Sequence, residues 1–432
     1  MDADTGAVLY GKDMNRQCYP ASITKIMTAL LVLENCKLDE TVTFSDTAVS
    51  NLEAGAVTAF TSAGDKLTVK DCLYALLFRS ANEVANALAE HVSGSVEAFA
   101  DLMNQKAKSL GCKNTHFVNP NGLSSTEHVT TAYDMALIAR ACMDNKMFLE
   151  LESKDSVKIG ATKERPDGLT VTIGHKMLRE GTAYSDSRVV GGKTGFTTAS
   201  GNTLVTMAED NGRRLVAVVM EDKTPNHYLD TKALLDFGFS GFENHKADTL
   251  LDKAELERRL VADKIIPEGG NALKTDRPFR VTLPKGASLD GVTADYEYNL
   301  TDAAPEDAAA EVNLYYGNHT AGSYYITNDR ESVLSLSNIS EAPTAAKVAI
   351  GISLTAVLAG IGAAAFFLLG GGTAYWHMRN VQEEKKRLRE AKQRRKERLK
   401  SMGVSESEFQ ELLDAYQKKH RAAGRGKEKR DQ

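Results

Sequence analysis

Cysteine is scarce and unpatterned in this 432-residue chain. The five, Cys18, Cys36, Cys72, Cys112 and Cys142, contain no Cys-x-x-Cys pair and no histidine spacing that marks a zinc site. An odd number excludes a complete disulfide framework. Buried free thiols are expected instead, because a thiol packs as a small apolar group. Neither a metal nor a cofactor is expected. The start of the chain lacks a charged and apolar leader. Met1 is therefore read as an internal methionine, with the natural start and a signal peptide upstream.

Charge is missing from Val348 to Tyr375, a run of 28 residues. As a helix at about 1.5 Å per residue it exceeds the roughly 30 Å needed to cross a bilayer. Gly370-Gly371-Gly372 leaves 22 residues before it, still enough to span. From Trp376 to the end there are 18 basic and 10 acidic residues, a net of +8, whereas the first 375 residues carry a net of −13. Basic residues after the span and few before it predict a cytoplasmic C-terminus and an outward-facing body. The tail, 376–432, reads as one basic helix to about Met402, stopped at Gly403, and a second helix opened by the capping box Ser405-Glu406-Ser407-Glu408. A basic tail on an acidic body points to a membrane surface, and nucleic acid is not an expected partner.

Three short motifs carry chemistry. Ser22-Ile23-Thr24-Lys25 opens an apolar-periodic segment that predicts a helix over 22–34. Positions three apart are helix neighbours, so Lys25 should lie beside Ser22. Burial and a second nearby cation would lower the lysine pKa and free an amine to take the serine proton. Ser80-Ala81-Asn82 is a polar break between two apolar helices, which suits the wall of a cleft. Ser80 can relay a proton there, and Asn82 can hold the lysine and a substrate carbonyl. Lys193-Thr194-Gly195 follows Val189-Val190-Gly191-Gly192 and precedes Phe196, the pattern of a strand that another backbone approaches closely. A peptide could add to it as a further strand, its terminal carboxylate held by Lys193 and Thr194. The backbone N–H groups of Phe196 and Ser22 would face the oxyanion. Taken singly, the motifs read as an N-cap serine before a solvated lysine, a second N-cap, and a glycine-rich hairpin. Their order and context together reverse those readings.

On these motifs the chain resembles the low-molecular-mass penicillin-binding proteins, and within them the D-alanyl-D-alanine carboxypeptidases of peptidase family S11. Met1 to Tyr10 is similar to that family's first hairpin, and Asn114 to Leu123 and Thr131 to Ala136 also match its pattern. The resemblance implies an α+β penicillin-binding-protein/β-lactamase-like transpeptidase fold, with helices on an antiparallel sheet. It implies catalytic Ser22, Lys25, Ser80 and Asn82, and substrate-binding Lys193, Thr194, Gly195 and Phe196. Lys223 is a weaker candidate for the carboxylate site. The implied substrate is a peptidoglycan stem peptide ending in D-Ala-D-Ala, with β-lactams as covalent inhibitors and the lipid bilayer as a further partner. A class A β-lactamase is disfavoured, because Ala81 stands where those enzymes carry Asp and no Glu-x-x-Leu-Asn string occurs. A membrane-bound penicillin sensor with little turnover is the other alternative.

The expected organisation is a catalytic domain over 1–242, a small β-rich domain over 243–336, a linker over 337–347, the membrane helix over 348–375 and the tail. Strands are expected at Thr203–Ala208 and Arg214–Met220, joined at Asp210-Asn211-Gly212, and a helix from Tyr228 to Phe237. In the small domain, alternation marks strands at 279–283, 295–300, 311–316 and 323–326.

Overall fold

The computed structural model describes residues 1–328 apart from 51, 54, 270, 301–303 and 306. The expected linker, membrane helix and tail lie outside the described residues. Among the described residues no helix is long and apolar enough to cross a membrane.

A helical layer comes first. The 3-10 turn Ala21–Thr24 runs into α1 (Lys25–Asn35), whose residues from Lys25 to Val32 are all buried. Around it lie α2 (Asp46–Ser50), α3 (Val69–Tyr74), α4 (Asn82–Ser93), α5 (Val96–Ser109), α6 (Ala132–Asp144) and α7 (Lys146–Glu152). Short antiparallel pairs edge this layer, β1 (Thr41–Thr43) with β2 (Lys66–Thr68) and β3 (Ser156–Ile159) with β4 (Leu169–Thr172). Thr68, Ser95 and Thr131 each accept a backbone N–H three residues on, which starts α3, α5 and α6. Ile26, Met27, Leu30, Leu73, Leu88 and Phe99 are buried together in the largest apolar cluster.

The helices pack on an antiparallel sheet in the order β5 (Val189–Thr197), β6 (Gly201–Asp210) and β7 (Arg213–Asp222). Asp210 pairs with Arg213, so only Asn211 and Gly212 make the turn. Both have positive φ, 49° and 75°, as a two-residue hairpin of matching twist requires. α8 (Asn226–Gly241) covers the sheet and is longer at both ends than the sequence suggested.

The N-terminal hairpin is reduced to one bridge, Asp2 to Leu215. Asp2 Oδ1 accepts the N–H groups of Asp4 and Thr5, both at 3.1 Å, and so turns the chain away before a strand can extend.

A second apolar cluster gathers Leu256, Leu260, Val281, Leu283, Val312 and Tyr324. It is built from β8 (Phe242–Lys246), α9 (Lys253–Ala262), β9 (Leu273–Thr275), β10 (Arg280–Pro284), β11 (Val292–Glu297), β12 (Ala308–Tyr316) and β13 (His319–Asn328). β8 pairs with β10, while the other four strands run in the order β11-β12-β13-β9. The strand expected at 295–300 lies earlier, over Val292–Glu297, in register with β12 from Tyr316 back to Glu311. The N-terminal turn joins the two clusters. Thr5 and Thr282 share a hydroxyl hydrogen bond of 2.6 Å, and the Ser323 N–H donates to the Thr5 carbonyl at 3.0 Å.

Candidate active site

Ser22 sits in the 3-10 turn, one step earlier than the α-helix expected from sequence, and α1 proper begins at Lys25. The tighter turn brings positions i and i+3 into line. Lys25 Nζ stands 2.9 Å from Ser22 Oγ, 2.9 Å from Asn82 Oδ1 and 2.5 Å from the Asn121 carbonyl. The Asn82 amide has one orientation here, since its Nδ2 donates to the Val57 carbonyl at 2.9 Å. A neutral amine has two N–H groups and one lone pair. With Asn82 and Asn121 accepting the two N–H groups, the lone pair is left for the Ser22 hydroxyl. Lys25 is fully buried, and burial first and Lys193 second hold its pKa well below the ordinary lysine value.

The turn before Ser22 is held from below. Ala21 has φ of 51°, a conformation that costs a residue with a Cβ. The Val118 N–H donates to His128 Nδ1 at 3.1 Å, which places the imidazole proton on Nε2. Nε2 then donates to Thr24 Oγ1 at 2.9 Å, and the Thr24 hydroxyl donates to the Ala21 carbonyl at 2.8 Å. Burial keeps His128 neutral, with its pKa pushed down to about 3. No role was assigned from sequence to His128, or to Thr24 beyond its place in the Ser22-Ile23-Thr24-Lys25 motif.

The second motif lies where a π-helical turn, Ala75–Arg79, ends. Ser80 has φ of 66°, Ala81 is buried, and Asn82 is the first residue of α4. The hydrogen bonds of Lys25 Nζ go to Ser22, Asn82 and Asn121, and Ser80 is not among these partners. Glu83 fastens the overlying loop, accepting the Ala59 N–H at 2.6 Å.

Lys193, Thr194, Gly195 and Phe196 lie on β5, in register with Val205, Leu204, Thr203 and Asn202 of β6. A Cβ on Gly195 would meet Thr203 Oγ1 at 2.4 Å and the Ser22 backbone nitrogen at 2.8 Å, so β5 lies directly against the serine turn. Thr203 also ties the two together by donating to the Pro20 carbonyl at 2.8 Å. Lys193 is buried, donates to the Thr194 carbonyl at 2.8 Å, and has its pKa lowered by burial to about 8. Behind it Glu152 accepts the Gly192 N–H at 2.5 Å, and burial raises its pKa to about 8. Phe196, next along β5 after Gly195, exposes 65% of its surface. Lys223 follows β7, its backbone N–H bonded to Asp222 Oδ1. The sequence reading thus brought together Ser22, Lys25, Asn82 and the Gly195 edge, and missed the Asn121 carbonyl, Glu152, Thr24 and His128.

The family model for peptidase S11, D-alanyl-D-alanine carboxypeptidase, matches residues 1–224. The chain is 31% identical to the D-alanyl-D-alanine carboxypeptidase DacF of Bacillus subtilis, over 72% of this chain and 78% of that one. It is 30% identical to DacD of Escherichia coli, over 73% and 81%. Among solved structures it is similar to penicillin-binding protein 6B of Escherichia coli, at 26% identity and a TM-score of 0.55, covering 75% of this chain and 92% of the other. The Streptomyces K15 DD-transpeptidase aligns at 29% identity and a TM-score of 0.50, over 56% and 95%. The helix-on-sheet architecture is therefore that of the penicillin-binding transpeptidase fold. With more than half its length matched by one family model and its serine, lysine and glycine-edged strand meeting in one cleft, the chain belongs to the peptidase S11 D-alanyl-D-alanine carboxypeptidases.

Proposed function

We propose that Ser22 is the nucleophile and Lys25 the base of this D-Ala-D-Ala carboxypeptidase. The observation that supports this most directly is the 2.9 Å contact from Lys25 Nζ to Ser22 Oγ on an amine whose other two hydrogen-bond positions are taken. Ser22 Oγ attacks the carbonyl carbon between the two terminal D-alanines as its proton passes to Lys25. The backbone N–H groups of Ser22 and Phe196 receive the oxyanion. Lys193 and Thr194 hold the terminal carboxylate, and Gly195 leaves room for the peptide beside β5. On collapse the C–N bond breaks, and the leaving amine takes a proton from Lys25, with Ser80 as the relay. Water then attacks the Ser22 ester as Lys25 again accepts the proton, and on collapse the acyl C–Oγ bond breaks and Lys25 returns that proton to Ser22 Oγ. A β-lactam enters the same step, but its leaving nitrogen stays tethered and blocks the water.

An amine arriving in place of water would give transpeptidation from the same ester, so hydrolysis and transfer share one intermediate. The apolar span at 348–375 would anchor the enzyme with residues 1–336 outside and the basic tail inside. The change in composition near residue 243 supports a division into a catalytic and a smaller β-rich domain.

Release of D-alanine from a stem-peptide mimic, measured on the 432-residue chain and its Ser22→Ala variant, tests the assignment. Release abolished by the substitution and by benzylpenicillin is the expected result. Stable penicillin labelling without any release would indicate a sensor instead. Protease protection of the tail in intact cells tests the orientation.

A further inference from the structure

Away from the cleft, the far ends of two helices meet. α1 and α4 both begin at the reacting groups, with Lys25 and Asn82 as their first residues. Cys36 caps the other end of α1, its N–H bonded to the Val32 carbonyl at 2.9 Å, and His91 lies in the last turn of α4. Glu40 lies between them. One ligand atom from each of Cys36, Glu40 and His91 falls within 4.8 Å of the other two. His91 Nε2 is 3.0 Å from Glu40 Oε2, and Glu40 Oε1 accepts the Lys37 N–H at 2.7 Å.

We infer that Cys36, Glu40 and His91 form a binding site for a thiophilic divalent cation of the zinc class. The donor set of one thiolate, one imidazole and one carboxylate suits zinc, which commonly takes three protein ligands and one water. Tetrahedral bond lengths of about 2.0–2.3 Å place ligand atoms roughly 3.3–3.8 Å apart. The ligand atoms lie within 4.8 Å of one another, so side-chain shifts of about an ångström reach that spacing, on residues that are part-exposed. The field also favours a cation, because helix C-termini carry partial negative charge and two of them converge here. The Lys37–Glu40 backbone contact is the outer bond that fixes the carboxylate, as metal-bound carboxylates usually have. On binding, the Cys36 thiol gives its proton to solvent as the metal–sulfur bond forms, and no oxidation state changes. The ion would staple the distal ends of the two helices whose proximal ends carry Lys25 and Asn82. This inference is independent of the reaction assigned to Ser22.

Titration of the 432-residue chain with Co2+ tests it, because a thiolate ligand gives a near-ultraviolet charge-transfer band. The expected result is a band that saturates at one Co2+ per chain, is displaced by Zn2+ and is absent in Cys36→Ser. His91→Gln and Glu40→Gln should weaken binding at least about tenfold. Zn2+ should raise the melting temperature of the unsubstituted chain and leave that of Cys36→Ser unchanged. Penicillin labelling of Ser22 in each variant shows that it has folded. The inference is overturned by the absence of a band, by a band that survives Cys36→Ser, or by affinity unchanged in both His91→Gln and Glu40→Gln.

Discussion

Lys25 Nζ and Ser22 Oγ lie 2.9 Å apart inside a shell that leaves the amine no free donor in its neutral form. Substituting Lys25 therefore removes the base and uncouples Asn82 from Asn121. Lys25→Ala should lower the rate of penicillin acylation by about 10²–10⁴. Lys25→Arg should do no better, since a guanidinium does not release its proton. Stopped-flow acylation with a fluorescent penicillin measures both.

The same geometry sets the pH profile. As the proposed base Lys25 acts in its neutral form, and burial with Lys193 nearby depresses its pKa, so activity should fall as pH drops through that lowered value. In its proposed role of holding a carboxylate Lys193 is charged, and burial lowers its pKa to about 8, so activity should fall again as pH rises past it. The kcat/KM profile for D-alanine release should be bell-shaped, with its alkaline limb near pH 8. Lys193→Arg should move the alkaline limb upward, and an unmoved limb would refute that assignment.

Glu152 gives a stability prediction of defined sign. Its folded pKa, about 8, lies above the ordinary value of 4.5. Its contribution is thus complete below pH 4.5 and is lost as pH climbs through about 8. Glu152→Gln should melt like the unsubstituted chain at acid pH and be more stable at pH 9, by up to a few kcal/mol. Thermal melts at both pH values check this.

Thr24 connects His128 to the strained Ala21. Thr24→Val keeps the shape but leaves the His128 Nε2–H and the Ala21 carbonyl without their partner. The expected cost is about 1–3 kcal/mol, with slower acylation of Ser22. Thr24→Ser should retain both. Urea unfolding and penicillin labelling report the two effects separately.

Gly195→Ala would press a methyl group into Thr203 Oγ1 and the Ser22 backbone nitrogen. β5 must then move away from the serine turn. We expect acylation to fall by at least about a hundredfold, as for other displaced oxyanion donors. Retention of full labelling by this variant would show that the edge does not set the geometry.

Much of this was legible in the chain. Ser22, Lys25 and Asn82 could be read because each motif has a residue type and a spacing that the chemistry requires. The β6–β7 hairpin was legible from Asn211-Gly212, where turn chemistry is local. What could not be read were contributions made by backbone atoms or by residues brought in from afar. The Asn121 carbonyl carries no residue-type signature, although its turn lies in the stretch Asn114 to Leu123 that resembles the family. His128 meets Thr24 across 104 positions, a pairing that only the packed fold creates. Glu152 belongs to no motif, and only the packed fold buries it behind Lys193. The N-terminal strand was over-read because Asp2 draws the neighbouring N–H groups to itself.

The close seating of Gly195 on the Ser22 amide has an evolutionary consequence. At that contact both partners are main chain, so selection by antibiotics has no side group there to trim, and one added at Gly195 would collide. Adaptation that spares the native reaction is steered to side chains such as the exposed ring of Phe196, whose exchange leaves the Gly195–Ser22 contact in place.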